Sequence, residues 1–130
     1  MTDLIETKPS KGMLWTGWIL TIIPGLFLLS GSFTALSGSA MVVEGMKPFG
    51  FNPVIMPYLG ATELLCSVLF LIPRTAPIGA ILMTAYMGGA TITHARVGDP
   101  KWIVPVIFGV IVWIGLLLRR PDLRKTMLGW

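Results

Sequence analysis

Four long apolar runs constrain this chain more than any other feature. They fall at about residues 13–36, 54–72, 77–97 and 101–118, separated by short segments that hold most of the charge. An α-helix rises 1.5 Å per residue, so about twenty apolar residues cross the hydrocarbon core of a bilayer, which is roughly 30 Å thick. None of the runs carries a polar stripe at helical spacing, so each reads as a helix that is apolar all round. The expected fold is all-α: an integral membrane four-helix bundle.

Composition agrees. Charged residues make up 12% of the chain and hydrophobic ones 54%. Soluble domains carry about a quarter charged residues, so water is the wrong solvent. No linker-like stretch divides residues 1–130, which are read as a single transmembrane domain. Residues 1–12 form a cytoplasmic leader and 119–130 a basic cytoplasmic tail. The leader mixes Asp3 and Glu6 with Lys8 and Lys11, and the run that follows is too long for a signal-peptide core.

The net charge of +4 invites a nucleic-acid reading, but the basic residues form no stripe with interleaved aromatics. Nucleic acid is excluded as a partner. The basic residues instead set topology. With four spans, Lys8, Lys11, Arg74, Arg119, Arg120, Arg124 and Lys125 share one side, against Lys47, Arg96 and Lys101 on the other. This bias predicts both termini in the cytoplasm of a bacterium, with the protein in the inner membrane. Trp15, Trp18 and Trp102 fall at the expected interfaces.

Glu63 is the most informative residue. It lies near the middle of the second run, where an ionised acid costs roughly 2.5–3.5 kcal/mol on insertion scales. Gly60, Cys66 and Ser67 share its face, so it is expected to point into the bundle. Two roles fit it: a proton-handling or ligand-anchoring group, or an uncharged acid hydrogen-bonded to a neighbouring helix. His94, the only histidine, is placed near the outer end of the third run, about two turns outward of Glu63. Tyr58, Thr91 and Tyr86 complete the candidate ligand or proton-handling set. Arg96 and Asp99 are read as local groups at the end of that helix.

The segment from Ser37 to Pro53 is too short to span and too apolar for open water, so it is expected to cap the outer end, with Glu44, Lys47 and Phe49 as contact candidates. One histidine, the isolated Cys66 and scattered carboxylates offer no metal site. No catalytic set is legible, and no Ser-His-acid, phosphate-loop or dinucleotide motif occurs. The chain on its own therefore reads as an accessory or ligand-binding protein rather than an enzyme.

Gly60-Ala-Thr-Glu63-Leu-Leu, Leu71-Ile-Pro-Arg74-Thr-Ala-Pro-Ile-Gly79-Ala80 and Gly88-Gly-Ala-Thr-Ile-Thr-His94-Ala-Arg96-Val-Gly-Asp99 together resemble the DoxX-like family of small bacterial membrane proteins. The fourth span, ending Trp113-Ile-Gly-Leu-Leu-Leu-Arg119-Arg-Pro-Asp-Leu-Arg124, continues the likeness. The resemblance implies a four-helix membrane bundle. The family name derives from a subunit of a thiosulfate:quinone oxidoreductase, so a quinone enters as a cofactor expectation. A redox or other membrane protein, or a further copy of the chain, enters as a partner besides the bilayer. An assembly factor for other membrane proteins is a third reading.

Overall fold

The computed structural model describes residues 8–130; the leader expected over residues 1–12 lies partly outside them. Helix α1 spans Lys11–Leu36, α2 Ala40–Met46, α3 Met56–Leu71, α4 Ala76–Arg96, α5 Ile103–Arg119 and α6 Pro121–Leu128. Short 3-10 turns at Lys47–Phe49, Pro53–Ile55 and Pro100–Trp102 join them. Four segments are long and apolar enough to cross a membrane: Lys11–Leu36, Pro53–Leu71, Ala76–Arg96 and Pro100–Arg119. They match the four runs of the sequence to within a residue or two, because hydropathy alone marks such spans.

Helix boundaries follow local chemistry. Ser10 caps α1 by accepting from the Met13 amide at 3.2 Å. Helix α1 ends where Gly38 takes φ +65°, a conformation that favours glycine. Pro24 does not break α1, although it removes the donor that the Leu20 carbonyl would use. That carbonyl faces α5, where Gly115 packs so tightly that an added Cβ would meet it at 3.0 Å.

The four spans form a ring. Helix α1 packs against α3 and α5, and α4 packs against the same two, so α1 and α4 stand at opposite corners. Short connections from α3 to α4 and from α4 to α5 make each neighbouring pair antiparallel. We call the end holding the start of α1, the α3–α4 turn and α6 the tail end, and the opposite one the cap end.

Glycines set the closeness of the ring. Gly79 of α4 lies on the α3 backbone, where an added Cβ would meet the Phe70 nitrogen at 2.3 Å. Gly17 meets Gly115 and Arg119 in the same way, and Gly60 meets Ala35 and Leu36. In lipid such close packing replaces the hydrophobic drive, since the surrounding tails are as apolar as leucine. Small residues recur at every fourth position along α4, at Ala76, Ala80, Thr84 and Gly88; the first two are buried in the interior, whereas Thr84 and Gly88 do not pack into it.

The core sits toward the tail end. Phe70, Ala76, Ala80, Met83, Val112 and Leu116 are wholly buried there. Buried Thr21, Ser32 and Ser67 each donate to a carbonyl of their own helix, so they demand no partner across the bundle. Ile23, Phe27, Ile81, Ile92 and Val104 point outward, as lipid-facing residues of a span must. The cap end packs less completely and leaves cavities.

Candidate functional site

Residues 37–53 join α1 to α3 at the cap end, and the part around Phe49 packs on the end of α4. Phe49 sits edge-on to the His94 ring, centroids 4.7 Å apart, and Arg96 donates to the Phe49 carbonyl. The last turn of α4 thus holds the cap by one ring contact and one charge-assisted hydrogen bond. Glu44 and Lys47 do not join this contact. They pair with each other at 2.6 Å on the exposed side of α2.

His94 has a partner that its sequence neighbours did not announce. Its Nδ1 lies 2.8 Å from Asp99 Oδ2, and the other Asp99 oxygen accepts from the Lys101 amide at 3.0 Å. Gly98, at φ +73°, reverses the chain between them. The Lys101 amide first, and His94 second, hold the Asp99 carboxyl below its usual range. A carboxylate bonded to one imidazole nitrogen fixes the tautomer and orients the ring.

Two spaces meet at this histidine. A cavity of about 380 Å³ lies beneath the cap, walled by Met46, Phe49, Phe51, Leu59, Tyr86, Gly89, Ala90, Thr93 and His94. An open cleft on the other side of the Phe49–His94 contact is lined by Gly45, Pro48, Val97, Asp99 and Lys101 together with those two rings. His94 therefore stands between a mostly apolar cavity and a cleft that is more polar than it.

Glu63 lies one turn below Leu59 on α3. Its carboxyl group rests against Gly31 of α1, where an added Cβ would stand 3.1 Å from Oε1. It is half-buried, and its backbone carbonyl accepts from Ser67 at 2.7 Å.

The five candidate ligand residues do not form one site. Tyr86 and His94 line the cap cavity, whereas Glu63, one turn along α3 from the lining residue Leu59, is not part of its wall. Tyr58 is 70% exposed on the outer surface of α3. Thr91 faces a separate groove of about 450 Å³ between α4 and α5, with Met87, Gly88, Gly109 and Trp113. Trp113 is held there by donating to the Thr84 hydroxyl at 2.8 Å. Sequence reading missed Asp99 as the partner of His94, and it missed Arg119, which is buried at the tail end. Among the described residues no group of three His, Cys, Asp or Glu side chains could hold a metal ion.

Four membrane-length helices in an antiparallel ring, with an acid at mid-span and a capped cavity at one end, define a small multi-pass membrane protein. The chain belongs to the DoxX-like family, whose model matches residues 19–115. The match reaches from the first span into the fourth. No curated protein and no solved structure matches the chain.

Proposed function

We propose that this protein is an accessory membrane protein that holds a small amphiphile in its cap-end cavity. The supporting observation is the cavity itself: about 380 Å³ of mainly apolar wall, with His94 and Tyr86 supplying polar groups. Ligand sites combine this volume with a few placed polar side chains. The apolar part of the ligand lies against Phe49, Phe51 and Leu59. Its polar end meets His94 and Tyr86, with Glu63 one turn along α3 from Leu59. The tail end faces the cytoplasm of a bacterial inner membrane, because the basic residues cluster there.

A second reading has one observation in its favour. Asp99 and His94 link the cleft that holds Asp99 and Lys101 to the cavity through a 2.8 Å contact, a geometry suited to passing a proton to or from a bound group. On this reading the protein is the quinone-interacting subunit of a membrane oxidoreductase. A partner subunit supplies the electrons, since quinone chemistry needs an electron donor.

Photo-crosslinking tests the first reading. A diazirine-bearing fatty alcohol reacts with the full chain in membranes, and labelled peptides are mapped. Labels concentrated on residues 46–51 and 86–94, reduced in His94→Ala, support the cap cavity. Labels spread evenly over the lipid-facing surfaces, unchanged by that substitution, oppose it.

A further inference from the structure

Arg119, the last residue of α5, lies inside the bundle at only 6% exposure. The face of its guanidinium stacks over the Trp18 ring at 4.5 Å, with the Phe70 ring 5.9 Å away. Among the described residues its one hydrogen bond, from Nη2 to the Phe70 carbonyl, is long at 3.4 Å, and Nε is buried with no partner there. Stacking satisfies the faces of a guanidinium and leaves its in-plane donors wanting acceptors.

No acid in the described residues answers this charge. Glu44 pairs with Lys47, and Asp99 is engaged by His94, both at the cap end. Glu63 lies at mid-span against Gly31. Asp122, the nearest acid in sequence, is gripped at both oxygens by Arg120, at 3.0 and 2.8 Å. Arg120 also donates to the Pro73 carbonyl, which fixes the junction of α5 and α6 against the α3–α4 turn. Arg124, one turn into α6, likewise has a buried Nε without a partner among the described residues. A buried cation without a counter-charge is costly, and Arg119 sits at the end of its span, where lipid phosphates are dense.

We propose that the tail end binds one anionic phospholipid through its phosphate, with Arg119 as the principal ligand and Arg124, one turn into the adjoining α6, adding positive charge at the same end. A phosphate oxygen accepts from the guanidinium donors that have no acceptor among the described residues, while Trp18 stacks on the guanidinium. The same chemistry would accept inorganic phosphate, so the source must be separated by experiment.

The test uses the full chain, delipidated in a non-ionic detergent and titrated with phosphatidylglycerol or phosphatidylcholine. Native mass spectrometry counts retained lipid. Wild type should retain one phosphatidylglycerol with roughly tenfold preference over phosphatidylcholine, and the preference should fall as salt rises. Arg119→Gln should bring the preference to parity, Arg124→Gln should weaken it roughly fivefold, and Lys47→Gln at the other end should leave it unchanged. If Arg119→Gln does not fold, Arg124→Gln decides. No preference in wild type, or the full preference in both arginine variants, overturns the site. Inorganic phosphate, added in a competing titration, that displaces the retained phosphatidylglycerol at equal concentration overturns the lipid as its source.

Discussion

The Glu63 carboxyl group lies against Gly31, close enough that a methyl there would stand 3.1 Å from Oε1. The neighbour in question is the end of a flexible side chain, so Gly31→Ala should cost about 1 kcal/mol or less. The cost should vanish when Glu63 is shortened to Ala, because the crowding atom is gone. A double-mutant cycle on thermal stability in detergent checks this coupling. Equal cost of Gly31→Ala in both backgrounds would show that the two residues do not share the space. Glu63→Gln keeps the shape and tests the acid itself: retention of the amphiphile should fall while stability is held.

Gly79 faces a harder constraint. The Phe70 backbone would lie 2.3 Å from an added Cβ, and backbone cannot turn aside. Gly79→Ala should therefore separate α3 from α4 and cost at least about 1–3 kcal/mol, in the range of overpacked cores. Gly88→Ala on the same helix meets nothing within 4 Å and should change stability by no more than about 0.5 kcal/mol. Thermal midpoints of the two variants, measured side by side, decide the point. Similar losses in both would contradict the assigned packing.

Phe49 closes the cap against His94. Phe49→Ala removes the ring contact and opens the cavity beneath it without touching the membrane core. Hydrogen exchange at residues 40–50 should quicken while α3 and α4 stay protected in their spans. Unchanged exchange in the cap would mean that Phe49 does not hold it.

Acid should loosen the same corner. Asp99 is held below the usual aspartate range, so its contribution is fully present above the unfolded aspartate pKa of about 4. It is lost as pH falls through the lower folded value, when protonation weakens the bonds to the Lys101 amide and His94. Exchange of the Lys101 amide should therefore rise below about pH 4 in wild type. Asp99→Asn should raise it already at neutral pH and flatten the dependence. A wild-type profile as flat as that of the variant would contradict the role of the carboxylate.

The spans were legible because twenty apolar residues in a row leave the backbone few choices. Glu63 was legible for a related reason, as one acid where nearly every neighbour is apolar. The pairing of His94 with Asp99 was not, since it depends on the turn that Gly98 makes at φ +73°. Tyr58 was open to a better reading. Five residues along a helix turn it about 140° from Glu63, and it lies on the outer surface. Arg119 read as a topology charge because its burial depends on Trp18 and Phe70, which lie far from it in the chain. Thr91 was grouped with His94 because residues three apart share a helical face. It falls on the α5 side of α4 instead.

The most direct measurement is native mass spectrometry of the full chain extracted with its lipids, comparing wild type with Ala90→Phe. Ala90 lines the cap cavity without supplying a polar side chain, so the larger ring fills the space and leaves His94, Tyr86 and Glu63 in place. The expected result is a small amphiphile bound to wild type and missing from the variant, with both proteins equally folded. The same adduct on both, or no adduct on wild type, would contradict a ligand site beneath the cap.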